Sequence, residues 1–75
     1  MRPQKMPIAV MRARAHEDLG DSGRAGRQWL RAGVAFEDAE DRGHAAECAT
    51  HAARCYRKWR RQLRAAARPK PEARR

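Results

Sequence analysis

Residues 24–40, RAGRQWLRAGVAFEDAE, decide the fold class. Ala25, Trp29, Ala32, Phe36 and Ala39 recur at the spacing of one helical face, so all five share a single apolar stripe while the arginines and acids fall outside it. On the N-terminal side, Gly20-Asp21-Ser22-Gly23 reads as a turn in which Asp21 or Ser22 caps the helix that follows. Before it, Pro7 suits a first helical turn, and Ile8, Met11, Ala15 and Leu19 follow at helical spacing until Gly20 stops them. On the C-terminal side, Asp41-Arg42-Gly43 breaks the pattern and a third helix runs over 44–67, ahead of Pro69 and Pro71.

No strand pattern occurs, so the expected class is all-α: a short three-helix domain, an antiparallel helical hairpin with a long basic third helix packed across it. Residues 8–67 form that single domain, 1–7 read as a leader without order and 68–75 as a basic tail without order. Met6 and Met11 stand as alternative starts. The inner face of the third helix is expected to carry His44, Cys48, His51, Cys55, Trp59 and Leu63, and its outer face Arg54, Arg57, Arg61, Arg64 and Arg68. Trp29, Phe36 and Trp59 are the expected core anchors, because alanine supplies much of the remaining apolar content. A chain of 75 residues with four aromatic side chains buries little surface, and a homodimer would remedy the deficit.

Charge is distributed one-sidedly. From Arg54 onward ten lysines and arginines face the single acid Glu72, which accounts for the whole formal net charge of +9, while residues 1–53 balance. Such a field attracts polyanions or acidic protein surfaces. The bland alternative is a solvated face of good helix formers. The acidic group Glu37, Asp38, Glu40 and Asp41 suits charge pairing and capping across the second break, or else docking on a basic partner. No window is long and apolar enough to span a membrane, and the first fifteen residues lack a secretory h-region.

Cys48 and Cys55 lie seven residues apart on one helix, about 10 Å between Cα atoms, which excludes a bridge between them and favours reduced thiols in a cytoplasmic protein. His44, Cys48, His51 and Cys55 share a face, but about 16 Å of helix separates the ends of that set, so one chain offers only a pair such as His44 with Cys48 or His51 with Cys55, and a zinc site would require a second chain. No metal, cofactor or small-molecule substrate is expected. With no phosphate loop, nucleophile elbow or H-E-x-x-H motif, catalysis is not expected either.

Gly20 followed by Ala32, Phe36 and Ala39 matches part of a tetratricopeptide motif, but Ala66 and Lys70 occupy the corresponding places 34 residues on, so an array of that period is unsupported. The run Ala13-x-Ala15-x-Glu17-x-x-Gly20-Asp21-x-x-x-Ala25-x-x-x-Trp29-x-x-Ala32, with Arg24 and Leu30 beside it, resembles small bacterial transcriptional regulators of the ANR and PerC type. Ser22 and Gly26 depart from that pattern, and Cys55 or Cys48 would fill its late cysteine position. The resemblance implies a cytoplasmic regulator that contacts nucleoid-associated proteins, activator proteins or DNA.

The expected function is therefore regulation of transcription by binding a protein partner, DNA, or both through the basic helix. A direct, largely non-specific nucleic-acid binder using Arg54, Arg57, Lys58, Arg61, Arg64 and Arg68 is one alternative. A phage- or plasmid-type inhibitor of a host complex is the other. Family motif and core together comprise Glu17, Gly20, Ala25, Trp29, Ala32 and Phe36, with Cys55 and Trp59 on the third helix.

Overall fold

A computed structural model describes residues 6–67 and contains three helices: α1 (Ile8–Asp18), α2 (Ser22–Asp38) and α3 (Arg42–Ala67). No strand occurs among the described residues. Pro7 sits just ahead of α1, and its carbonyl accepts the Val10 N–H at 3.0 Å. The assignments for 1–5 and for 68–75, Arg68 included, lie outside the described residues. α2 and α3 each begin two residues earlier than their periodicity suggests, because Asp21 and Asp41 act as N-caps.

The two turns are built alike, bond for bond. In the first, Leu19 N–H donates to Ala15 C=O (3.2 Å), Gly20 to Glu17 (2.9 Å) and Asp21 to His16 (2.8 Å). In the second, twenty residues on, Ala39 donates to Ala35 (3.2 Å), Glu40 to Glu37 (2.9 Å) and Asp41 to Phe36 (2.8 Å). The caps repeat as well: Asp21 Oδ1 accepts from Arg24 N–H and Asp41 Oδ1 from His44 N–H, both at 3.1 Å. α1 and α2 are each followed by a left-handed residue that releases the chain from the helical path, Gly20 at φ 78° and Glu40 at φ 62°. The sequence carries the same repetition: Glu17-Asp18-x-x-Asp21-x-Gly23-x-Ala25 returns as Glu37-Asp38-x-x-Asp41-x-Gly43-x-Ala45. The period is 20 residues, one helix and one turn, rather than the 34 of a tetratricopeptide unit.

α2 packs on both neighbours. The core is Val10 and Ala13 from α1, Ala25, Trp29 and Ala32 from α2, and Cys48, Ala52 and Cys55 from α3. Alanine and glycine at these contacts let backbones approach closely. At Gly23 and Gly26 an added Cβ would lie 3.0 Å from the Trp59 indole and 3.1 Å from the Tyr56 ring.

Several expectations about facing are corrected. Ile8, Met11, Ala15 and Leu19 point outward, with Ile8 and Met11 62% and Leu19 81% exposed, because α1 turns its Val10–Ala13 side to α2. Small Ala13 allows a closer approach than the bulkier stripe would. Trp59 is 39% and Leu63 50% exposed, so neither anchors the core. α3 has 26 residues against 17 in α2 and outruns the helix it packs on. His44 is exposed, Phe36 is half-buried and stacked on it at 4.9 Å, and Ala39 lies outside α2.

Candidate nucleic-acid interface

After Glu47 no acid occurs in the rest of α3, whereas Arg57, Lys58, Arg60, Arg61 and Arg64 fall within eight consecutive residues. All five are exposed, and among the described residues none makes an ion pair with an acid. At about 100° per residue, Arg57, Arg61 and Arg64 line the side of α3 opposite Cys48, Ala52 and Cys55. Burial of that small-residue face therefore fixes which way the cations point. Arg60 flanks the row, and although it was counted among the bases, sequence reading did not place it in the site. Lys58 lies at the row's edge.

Arg54 is corrected out of the free ridge. Its guanidinium donates to Glu17 Oε1 at 2.9 Å, and the other oxygen of that carboxylate accepts the Trp29 Nε1–H at 2.8 Å. One carboxylate thus joins α1, α2 and α3. Burial tends to raise the pKa of Glu17, but the hydrogen bonds from Trp29 and Arg54 and the positive charges of Arg54 and His51 outweigh it and hold the group below its ordinary value of 4.5. His51 stacks on Trp29 with ring centroids 4.3 Å apart, completing the cover of the indole.

Cys48 and Cys55 are free, buried thiols, and burial first of all pushes both pKa values up. No group of three or more His, Cys, Asp or Glu among the described residues could hold a metal ion. Of the remaining motif residues, Gly20 ends α1, Ala25, Trp29 and Ala32 are buried as expected, and Cys55 sits beside Glu17. Beside the ridge a shallow cleft of about 370 Å³ opens between Gly23, Arg24, Arg27, Tyr56 and Trp59, with Asp21 at its edge paired to Arg24 at 3.5 Å. Trp59 lies in that cleft at the surface, flat against Gly23, a placement its helical spacing did not reveal.

Comparison with family models, curated proteins and solved structures finds no match to this chain. No described helix is long and apolar enough to cross a membrane.

Proposed function

We propose that the protein is a small cytoplasmic regulator of transcription that works by binding, and that it contacts nucleic acid through the free cations of α3. The observation that carries this reading is the row Arg57, Arg61 and Arg64, exposed and without an acid partner among the described residues, flanked by Lys58 and Arg60. Guanidinium groups along a helix suit phosphate oxygens, and the contact is sequence-tolerant because the ridge offers no asparagine and only Gln62 for reading bases. Gln62 is itself turned toward the Gly20 carbonyl at 3.5 Å. In this reading α1 and α2 form an antiparallel hairpin on which the basic helix is mounted, and the chain self-associates because its core is thin. The ANR and PerC resemblance supports a regulatory role. The buried, unbridged thiols suit a reducing compartment.

A salt titration of binding to generic duplex DNA tests the reading. Affinity should fall steeply with ionic strength, and changing Arg57, Arg61 and Arg64 together to Gln should flatten the log–log slope by about 2 to 3 while leaving helicity unchanged. Absence of binding at low ionic strength would remove the nucleic-acid contact. Protein-partner regulation or inhibition of a host complex would then be the better explanation, and a pull-down insensitive to nuclease would separate those from it.

A further inference from the structure

Within the chain, α3 covers the cleft between α1 and α2: His51 stacks on Trp29, the Tyr56 ring lies against Gly26, and Arg54 reaches Glu17. Moving the three receiving residues forward by the 20-residue period gives Ala49, Ala46 and Glu37. All three are exposed and line an open groove of about 700 Å³ between α2 and α3, together with Leu30, Gly33 and Val34. Leu30 is 49% and Val34 58% exposed there, and no described helix fills the groove. It is the seat that one more helix would take if the repetition continued.

The matching face is on α1. Moving the inner face of α3 (Cys48, His51, Cys55 and Trp59) back by two periods gives Ile8, Met11, Ala15 and Leu19, the outward stripe of α1. Arg54, the partner of Glu17, maps by the same shift to Arg14, which is exposed. α1 therefore shows to solvent the face that α3 uses to cover a cleft of this kind. Charge is mixed on both surfaces, with Glu37, Asp38 and Arg42 lining the groove and Arg12, Arg14 and Asp18 bordering the stripe, so what the repeat register supplies is the specific pair Arg14 and Glu37.

We propose that copies of this chain assemble head to tail, the outer stripe of α1 from one copy seated in the α2–α3 groove of the next. Arg14 of the first meets Glu37 of the second, as Arg54 meets Glu17 within one chain. The two surfaces differ, so the contact is heterologous and either propagates or closes into a ring. Burying the stripe and the groove together removes two of the exposed apolar surfaces that a thin monomer core leaves uncovered. The inference stands independently of nucleic-acid binding.

Sedimentation velocity over a concentration series of the full chain tests it. Wild-type protein should sediment faster as concentration rises. Glu37→Arg and Arg14→Glu, both on exposed side chains, should each weaken association about five- to tenfold with an unchanged helical circular dichroism spectrum. An equimolar mixture of the two variants should regain it, because each reversed charge then meets its opposite. Val34→Asp should abolish association by placing a carboxylate in the apolar groove. A monomer at every concentration, or a mixture no better than its components, would overturn the proposal.

Discussion

Glu40 is a non-glycine residue at φ 62°, in the place where the first turn has Gly20 at φ 78°. A side chain in the left-handed region costs about 1 kcal/mol or more, and glycine occupies it freely. Among the described residues the carboxylate of Glu40 has no hydrogen bond or ion pair to offset that cost, so Glu40→Gly should stabilise the fold by about 1 kcal/mol and raise the melting temperature by about 4–8 °C. An unchanged or lower melting temperature would contradict this reading of the turn. At the same scale Trp29 was legible and Trp59 was not. Both fall on apolar faces, but Trp29 lies mid-helix between two neighbours, whereas Trp59 reaches only the first turn of α2, at Gly23. Spacing gives the direction of a side chain along its own helix and says nothing about how far the neighbouring helix extends.

At the scale of elements, α2 was readable because its single strong stripe is the face that packs. In α1 the spacing marked the helix but not its packed side, because it carries apolar residues on two sides, Val10 and Ala13 on one and Ile8, Met11, Ala15 and Leu19 on the other. Periodicity alone favours the larger side chains, while close backbone approach favours the smaller. The 20-residue repetition is also present in the letters, in Glu-Asp-x-x-Asp-x-Gly-x-Ala, at a shorter period than the 34 of a tetratricopeptide unit. What joins the elements is Glu17, whose carboxylate is shared by Trp29 and Arg54. Its pKa is lowered by folding, so its contribution is complete above its ordinary value of 4.5 and is lost as pH falls through the folded value. Glu17→Gln should therefore be less stable than wild type at neutral pH, and the difference should shrink in thermal melts taken progressively below about pH 4.5. Parallel acid profiles for the two proteins would show that the carboxylate holds nothing together.

At the scale of the molecule, the chain separates its tasks by helix. α1 and the α2–α3 groove hold much of the exposed apolar surface, with Trp59 and Leu63 adding to it on α3, and the C-terminal half of α3 holds the densest run of unpaired positive charge among the described residues. In a head-to-tail assembly each added copy would present another basic ridge, so binding to a long polyanion would gain from multivalency without any new contact type. The charge asymmetry was plain from the sequence; which arginines are free was not, since the Glu17–Arg54 pair joins residues far apart in the chain. Mapping the surface that meets duplex DNA, by following backbone amide resonances of labelled protein during a titration at low ionic strength, addresses the functional claim most directly. Shifts should concentrate on residues 57–64 and spare Ala13, Ala25 and Ala32, whereas shifts confined to α1 and the acidic end of α2, or none at all, would contradict it.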